Sequence, residues 1–247
     1  MPFLLSYAQC ALAIDRARGE SYNESNESEA IMTPQEIFSK IDHTLLSVTA
    51  TESEFLLLAE EAIKAGAASV CVTPAAVPLI KQRYGDALRI TTVIGFPNGY
   101  STTETKVFET LDAIQKGADE IDMVIAVGKA KEGDFDYLLR EIRAVRAAAK
   151  GKVLKVIVET CLLTEEEKIK LCEIVTKAGA DYIKTSTGFS KAGATIEDIL
   201  LFKEHIGAGV KIKAAGGIRT LTDAEKYLQA GADRIGASAV IKEYYKQ

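Results

Sequence analysis

Residues 177–188 read KAGADYIKTSTG, and this short stretch contains the unit from which the fold is predicted. Gly179 can take the left-handed backbone conformation that ends a helix. The following residues, ADYIKTST at 180–187, are rich in β-branched and apolar side chains and predict a buried strand. Gly188 then opens a glycine loop, so a helix end, a strand and a loop follow one another directly.

The same junction between helix and strand recurs along the chain. Gly66, Gly117 and Gly231 each precede an alanine and a strand-like run, at intervals of roughly fifty to sixty residues. Eight strand-like runs can be recognised in all. They are KIDHTLL (40–46), SVCVT (69–73), RITTVIGF (89–96), EIDMVIAV (120–127), KVLKVIVET (152–160), ADYIKTST (180–187), VKIKAA (210–215) and DRIGAS (233–238).

Segments with the 3.6-residue period of helices lie between these runs. Their predicted N-termini carry Ser/Thr-x-x-Glu capping boxes at Thr51, Ser101, Thr164 and Thr222, with a weaker pair at Thr195 and Asp198. Strands this apolar need cover on both faces, as in a parallel sheet. An open doubly wound sheet fits the alternation equally well. Eight units in about 210 residues favour an α/β fold of the (β/α)8 TIM-barrel class.

The composition predicts a globular chain and excludes several classes of protein. Of the 247 residues, 47% are hydrophobic and 26% are charged, with a formal net charge of −5. No apolar run approaches the roughly 18–20 residues of a membrane span. The sequence also has no block of basic residues, so a nucleic-acid partner is not expected. The two histidines, His43 and His205, are too few for a metal-dependent enzyme with three imidazole ligands.

The four cysteines form no C-x-x-C pair, which argues against a disulfide framework or a structural zinc site. Their spacing therefore favours a reducing compartment, and a cytoplasmic location is expected. Cys71 and Cys161 fall near the ends of strand-like runs. Each is either a small core residue, which is the more frequent case, or a pocket thiol.

Residues 1–32 differ from the rest of the chain. An apolar start is followed by the polar and acidic SYNESNESE at 21–29. We expect a docked helix and an acidic linker here, forming an N-terminal extension to a single domain over 33–247. The segment lacks both the basic start and the clear cleavage site of a signal peptide.

Three lysines, Lys155, Lys184 and Lys213, lie inside strand-like runs. A single such lysine usually extends to water at a strand end. Three on a closed barrel can instead converge at its carboxyl-terminal mouth, where active sites of this fold lie. An ordinary lysine has a pKa of about 10.4 and is almost fully protonated at pH 7, but burial and a second ammonium lower that pKa. Lys184, flanked by Lys213 and Lys155, is therefore a candidate Schiff-base nucleophile.

Acidic residues also occur in or near the strand-like runs. Asp122 and Glu159 lie inside them, and Asp42 stands near the end of the first. Each is explained equally by an ordinary structural ion pair. Beside an imine-forming lysine, Asp122 would be placed to move protons to and from carbon through water.

Glycine-rich loops follow the last three strand-like runs. They contain Gly188, Gly216, Gly217, Gly236 and Ser238. Backbone N–H groups in such loops bind anions, and the loops after strands 7 and 8 are the usual phosphate site of these barrels. The sequence therefore predicts a phosphorylated small-molecule ligand. Neither G-x-x-x-x-G-K-[ST] nor G-x-G-x-x-G occurs, so ATP or dinucleotide binding is not supported.

Taken together, the motifs resemble the deoxyribose-phosphate aldolases, a family of class I aldolases with a (β/α)8 fold. The resemblance runs from about Thr33 to the C-terminus and rests on VIGFP, GADEIDMV, KVIVET, DYIKTSTGF, KAAGGIRT and ADRIGAS, in this order. It implies reversible cleavage of 2-deoxy-D-ribose 5-phosphate to D-glyceraldehyde 3-phosphate and acetaldehyde, with no metal and no organic cofactor. It also implies a homodimer, which is common in the family.

The resemblance further implies residue roles. Lys184 would form the Schiff base, Lys213 would lower the pKa of Lys184 and join the proton relay, and Asp122 would donate and accept protons. Asp42 would line the substrate pocket and support the relay. The phosphate would be bound by Gly188, Gly216, Gly217, Gly236 and Ser238. Lys155 is a supporting residue by its position alone.

Three departures from the family pattern concern the substrate more than the reaction. Phe189 stands where some members have lysine, Ala239 stands where some have a second serine, and Asn98-Gly99-Tyr100 replaces Leu-Gly-Ala. Two alternatives stay open. One is a non-covalent sugar-phosphate isomerase or epimerase on the same barrel, which needs no buried lysine pair. The other is a barrel that binds sugar phosphates without catalysis.

Overall fold

The strands of this chain pair in parallel and in chain order, and the last closes on the first. The computed structural model describes residues 32–246. The strands are β1 Ile41–Leu45, β2 Ser69–Val72, β3 Ile90–Ile94, β4 Glu120–Val124, β5 Val153–Ile157, β6 Tyr182–Lys184, β7 Lys211–Ala215 and β8 Arg234–Ala237. All eight predicted strands are present. Pairing of β1 with β8, with Asp42 opposite Gly236, excludes an open sheet and confirms the (β/α)8 barrel.

Helices follow every strand and cover the outside of the barrel. They are α1 Pro34–Phe38, α2 Glu52–Ala65, α3 Val77–Tyr84, α4 Thr103–Gln115, α5 Val127–Lys131, α6 Phe135–Ala148, α7 Glu165–Ala178, α8 Ile196–His205, α9 Leu221–Ala230 and α10 Val240–Tyr245, with 3-10 turns at Pro74–Ala76 and Thr160–Leu162. Within residues 32–246, none of these helices combines the length and the apolar character needed to cross a membrane. The predicted extension, residues 1–32, lies outside the described residues except for Met32 and stays a prediction.

Local signals place most helix ends correctly. Thr51 and Thr164 form the predicted capping boxes, and the Thr195 side chain accepts a hydrogen bond from the Asp198 N–H. Gly66 and Gly179 end their helices in the left-handed conformation, with φ of +65° and +73°.

Two predicted caps are wrong. Thr102, not Ser101, caps α4, and its hydroxyl accepts from the Thr105 N–H without a capping box. Thr220, not Thr222, caps α9 and forms its box with Asp223. Neighbouring Ser and Thr residues are equivalent as capping side chains, so the spacing alone does not choose between them.

The barrel has an apolar outer layer and a polar interior. Along β4, Ile121 and Met123 belong to the apolar core between sheet and helices, whereas Glu120 and Asp122 are equally buried but contact charged groups of other strands. This alternation follows from the two-residue period of a strand. The interior of this barrel therefore contains ionisable side chains at positions where branched aliphatic residues are usual.

A buried ion pair between α4 and α6 holds two loops that follow strands β3 and β4. The Lys106 Nζ lies 2.7 Å from Glu141 Oε1 and donates to the Gly99 carbonyl oxygen at 2.7 Å. The second oxygen of Glu141 accepts from the Ala126 N–H. Burial lowers the pKa of Lys106 and raises the pKa of Glu141 against their mutual attraction. The pair therefore fixes the loops after β3 and β4 relative to α4 and α6.

Replacing Glu141 with Gln should cost about 3–5 kcal/mol of unfolding free energy, because the buried Lys106 loses its counter-charge. The matched control is Asp112→Asn, which removes an exposed pair with Lys116 and should cost less than about 1 kcal/mol. Urea unfolding monitored by circular dichroism measures both. Equal losses in the two variants would contradict this role of the buried pair.

Candidate active site

A cavity of about 480 Å³ opens at the carboxyl ends of the strands. Four segments line it, contributed by the loops after β1, β6, β7 and β8. The lining residues are Thr44, Leu45, Leu46, Ser47, Val48, Lys184, Thr187, Gly188, Phe189, Ala215, Gly216, Gly217, Ile218, Gly236, Ala237 and Ser238. The cavity therefore occupies the position where active sites of (β/α)8 barrels lie.

Lys184 is the single titratable side chain among these lining residues, within the part of the chain that the structure describes. It is the last residue of β6, and its side chain is only 4% exposed. The short strand ends here because residues 185–187 turn into the loop that reaches Gly188, where φ is +84°. One amine is thus presented to a cavity whose other lining residues, within residues 32–246, carry no charged side chain.

Asp122 connects the three predicted lysines. Its Oδ2 accepts from Lys184 Nζ at 2.8 Å and from Lys213 Nζ at 2.7 Å, and its Oδ1 accepts from Lys155 Nζ at 2.7 Å. Lys184 and Lys213 share one oxygen atom, so their nitrogens cannot be further apart than these two distances combined. The structure therefore brings Lys184, Lys213, Lys155 and Asp122 together, as the sequence predicts.

Asp42 lies deeper in the barrel than its expected place in the pocket lining. Its Oδ2 accepts from Lys213 Nζ at 2.5 Å, and its Oδ1 accepts from Arg234 Nη1 at 2.6 Å and Ser69 Oγ at 2.8 Å. The side chain is fully buried and does not line the cavity. Asp42 thus contacts Lys213 inside the barrel but does not reach the cavity.

Lys155 is held by carboxylates rather than placed against Lys184. Its Nζ lies 2.7 Å from Glu120 Oε2 and 2.7 Å from Asp122 Oδ1, and it donates to Thr91 Oγ1 at 3.3 Å. It reaches Lys184 only through Asp122. The predicted flanking of Lys184 by Lys155 is therefore indirect.

The lysines differ in how readily they lose a proton. Burial lowers the pKa of Lys184, and the Lys213 ammonium adds to this while Asp122 opposes it. Burial has the same tendency at Lys213, but the carboxylates of Asp122 and Asp42 raise its pKa above the ordinary value. In Lys155, burial is likewise overcome by Asp122, Asp42 and Glu120, which raise the pKa. Lys184 is therefore the lysine of this group most easily kept neutral.

The two aspartates are held in their charged form. Burial alone would raise their pKa values, but the basic groups around them hold both below the usual range. Lys213, Lys155 and Arg234 act on Asp42, whereas Lys155, Lys184 and Lys213 act on Asp122. All three carboxylates of the interior bind lysine or arginine, and no group of three or more potential metal ligands occurs within residues 32–246.

All five residues predicted to bind phosphate line the cavity. Gly216 and Gly217 have φ of +86° and +81°, a conformation that side-chain-bearing residues rarely adopt. A Cβ on Gly216 would lie 2.8 Å from the Cα of Gly193, so the loops after β6 and β7 are in backbone contact. These loops can offer backbone N–H groups to an anion.

Glu159 supports the loop that contains Gly188. Its carboxylate is buried and accepts from both the N–H and the hydroxyl of Thr187, the latter at 2.5 Å. Glu159 also has φ of +60°, the one positive value outside glycine in the described chain. An ion pair, which the sequence left open for this residue, is not formed; its partner is a loop threonine.

Two members of the interior network are not found by the sequence reasoning, Glu120 and Arg234. Glu120 contacts Lys155, and Arg234 contacts Asp42. Their positions in the sequence could have indicated them. Glu120 lies two residues before Asp122 and Arg234 lies two before Gly236, and residues two apart in a strand point to the same face.

The cysteines and Phe189 also take definite positions. Cys71 is buried in β2 and Cys161 is half-buried, and neither lines the cavity. Phe189 does line it, is 53% exposed, and packs edge-to-face against Phe96 with ring centroids 5.3 Å apart. An aromatic ring therefore stands at the mouth where some resembling sequences carry a lysine.

Comparison with known proteins gives consistent matches. A family model described as DeoC/LacD family aldolase matches residues 37–246. The chain is 52% identical over 206 residues to a deoxyribose-phosphate aldolase of Clostridioides difficile (strain 630), covering 83% of this chain and 94% of that protein. It is 54% identical over 211 residues to a deoxyribose-phosphate aldolase of Streptococcus agalactiae serotype Ia, covering 85% and 95%.

A solved structure is similar over most of its length as well. The deoxyribose phosphate aldolase from Aeropyrum pernix, described as a unique tetrameric structure, matches with a TM-score of 0.80 at 32% identity. The match covers 86% of this chain and 92% of that one. Sequence and structure comparisons therefore point to the same group of proteins.

The lowered pKa of Lys184 predicts that this lysine destabilises the fold. In the unfolded chain its pKa is the ordinary 10.5, so at pH 7 folding must release a proton or bury a charge. Lys184→Met should therefore raise the unfolding free energy at pH 7 by about 1 kcal/mol. The gain should shrink as the pH rises to the ordinary lysine value, because the unfolded chain then loses its proton too.

The matched variant is Lys155→Met, which leaves Glu120 and Asp122 short of a counter-charge and should lose about 3 kcal/mol. Urea unfolding at several pH values between neutral and alkaline compares the two variants with the wild type. A Lys184→Met protein less stable than the wild type at pH 7 would contradict the prediction.

Proposed function

The chain belongs to the DeoC/LacD family of aldolases, and on that premise we propose that it reversibly cleaves 2-deoxy-D-ribose 5-phosphate. The products are D-glyceraldehyde 3-phosphate and acetaldehyde, and the reaction proceeds through a Schiff base on Lys184. One observation carries the proposal: Lys184 is the titratable side chain of the cavity, and it shares a carboxylate oxygen with Lys213.

The first step is attack of the neutral Lys184 amine on the C1 carbonyl of the open-chain sugar. Water leaves and an iminium forms, which requires a proton for the departing oxygen. Lys213 is suited to supply this proton because its raised pKa keeps it charged at neutral pH. The lowered pKa of Lys184 supports the opposite role, that of nucleophile.

The iminium then acts as an electron sink for carbon–carbon cleavage. A base removes the proton of the C3 hydroxyl, the C2–C3 bond breaks, and D-glyceraldehyde 3-phosphate departs. The electrons of the broken bond form an enamine on Lys184. A proton delivered to C2 through Asp122, Lys213 and a water regenerates an iminium. Hydrolysis of this iminium frees acetaldehyde and restores the amine.

The phosphate group is proposed to lie among the glycine loops. Gly188, Gly216, Gly217, Gly236 and Ser238 form this part of the cavity wall. No side-chain cation other than Lys184 is among the lining residues of the described chain, so backbone N–H groups and the Ser238 hydroxyl would supply the contacts.

We also propose a role in deoxyribonucleotide and carbohydrate breakdown, in the cytoplasm and as a homodimer. The products of the proposed reaction, a triose phosphate and acetaldehyde, are suited to further breakdown. The homodimer is proposed from the resemblance to the family. The matching structure from Aeropyrum pernix is described as a tetramer instead. Location and assembly both stay predictions for this chain.

Trapping with acetaldehyde and borohydride tests the covalent mechanism. The wild type should acquire one ethyl group on Lys184, located by peptide mass mapping. Lys184→Arg, which keeps the charge but forms no imine, should lose the adduct and reduce turnover by about a thousandfold or more. The matched control Lys191→Ala removes an exposed lysine of the neighbouring loop and should keep the adduct.

Turnover of the sugar phosphate without an adduct on Lys184 would overturn the Schiff-base mechanism. Interconversion of sugar phosphates with no adduct would favour the isomerase or epimerase. Binding of the sugar phosphate with neither turnover nor adduct would favour the non-catalytic barrel.

A further inference from the structure

The interior of the barrel contains more ionisable groups than the proposed reaction uses. Four are basic and three are acidic, and each contacts at least one group of opposite charge. The bases are Lys155, Lys184, Lys213 and Arg234, and the acids are Asp42, Glu120 and Asp122. The mechanism uses Lys184, Lys213 and Asp122. Of the other four, Asp42 and Lys155 have roles predicted from the sequence, whereas Arg234 and Glu120 have none.

Arg234 is linked to Lys184 through alternating charges. Its Nη1 donates to Asp42 Oδ1 at 2.6 Å, the other oxygen of Asp42 accepts from Lys213 at 2.5 Å, and Lys213 shares Asp122 Oδ2 with Lys184. Glu120 enters from the other side, 2.7 Å from Lys155 Nζ and 3.4 Å from Arg234 Nη1. The network therefore extends from the interior below Asp42 to the cavity floor.

The number of charges in this network is the decisive quantity. Three bases have raised pKa values and therefore stay charged: Lys155, Lys213 and Arg234. Their charges balance those of the three carboxylates, Asp42, Glu120 and Asp122. The seventh group is Lys184, whose protonation would give a buried interior one positive charge in excess. Uncompensated charge in a low-dielectric interior is strongly disfavoured, so the network as a whole favours a neutral Lys184.

We propose that Arg234 and Glu120 are positioning residues that set the protonation of the Lys184 amine through the charge of the barrel interior: Arg234 favours the neutral amine, and Glu120 limits this effect. The proposal rests on the proposed function, since it explains how the nucleophile of that reaction is kept neutral. Neither residue lines the cavity, so neither contacts substrate. Both act through Asp42, Lys155 and Lys213.

The groups facing these residues come from several strands. Lys184 faces Asp122 on β4, Lys213 on β7 and the Cys71 thiol on β2. Arg234 faces Asp42 on β1 and Glu120 on β4, and its guanidinium carbon lies 5.6 Å from the ring centroid of Tyr182 on β6.

Beyond that ring stands the exposed Lys211 ammonium, 5.9 Å from the centroid. Glu120 faces Lys155 on β5 and the Thr91 hydroxyl on β3. Changing the charge at position 120 or 234 therefore changes the balance of one connected group.

The two residues have opposite charges and must act in opposite directions. Without the positive charge of Arg234, a protonated Lys184 would balance the three carboxylates, so the amine should remain charged to higher pH. Removing the negative charge of Glu120 should have the reverse effect. Both substitutions also reduce packing and rigidity. Such a loss would not be expected to shift the pKa of Lys184 upward in one variant and downward in the other.

The experiment follows the initial rate of acetaldehyde trapping on Lys184 by cyanoborohydride as a function of pH. Arg234→Met should move the midpoint upward by about one pH unit, and Glu120→Gln should move it downward by a similar amount. The double variant Arg234→Met/Glu120→Gln restores the charge balance and should return toward the wild-type midpoint. Arg234→Lys keeps the charge and should stay near it.

The matched control is Glu141→Gln, which breaks a buried ion pair outside this network and should leave the midpoint unchanged although the protein is destabilised. Thermal unfolding verifies that each variant is folded at the temperature of the assay. If Arg234→Met does not fold, Glu120→Gln and Arg234→Lys decide the test.

Shifts in the same direction, or midpoints of Arg234→Met and Glu120→Gln equal to the wild type, would overturn the proposal and leave the proposed function intact. A wild type that forms no adduct on Lys184 would instead overturn the proposed function.

Discussion

A single carboxylate oxygen, Oδ2 of Asp122, accepts hydrogen bonds from Lys184 and from Lys213, and the chemistry of the site depends on this sharing. Two amines bound to one oxygen must lie close together, and both side chains are almost fully buried in the barrel. Two ammonium groups in such a place repel each other, and the second carboxylate of Lys213, that of Asp42, decides which one keeps its proton. The carboxylates raise the pKa of Lys213, whereas the pKa of Lys184, which has no carboxylate of its own, is lowered, and this is the amine to which the proposed reaction assigns the role of nucleophile.

The fold makes this arrangement possible at a cost in stability. A closed ring of parallel strands points every second residue inward, so residues distant in the chain, such as Asp42 and Lys213, meet in the interior. Helices outside the ring provide the apolar core that the ionised interior does not. The same closure places Lys184 and the glycine loops, which are proposed to bind phosphate, at the border of one cavity.

The fold and the principal residues of the site follow from local features of the sequence. Glycine junctions such as Gly179, followed by β-branched runs, repeat often enough to indicate eight strands, and a closed barrel then brings Lys184 and Lys213 to one end. Depth along the barrel axis is harder to predict, because it depends on strand register. For this reason the sequence predicts Asp42 in the pocket lining, whereas the structure buries it outside that lining, and the sequence does not indicate the contacts of Glu120 and Arg234. The two helices capped by Thr102 and Thr220 begin one or two residues away from the caps predicted from the sequence, because neighbouring hydroxyl side chains can cap a helix equally well.

The proposed role of Lys184 depends on an amine that loses its proton at a lower pH than an ordinary lysine does. Nuclear magnetic resonance of protein labelled with 13C at the lysine ε-carbon tests it directly, with Lys184→Arg identifying the resonance. We expect the Lys184 signal to titrate at a lower pH than the signals of the exposed lysines. A Lys184 signal that titrates together with those exposed lysines would contradict it.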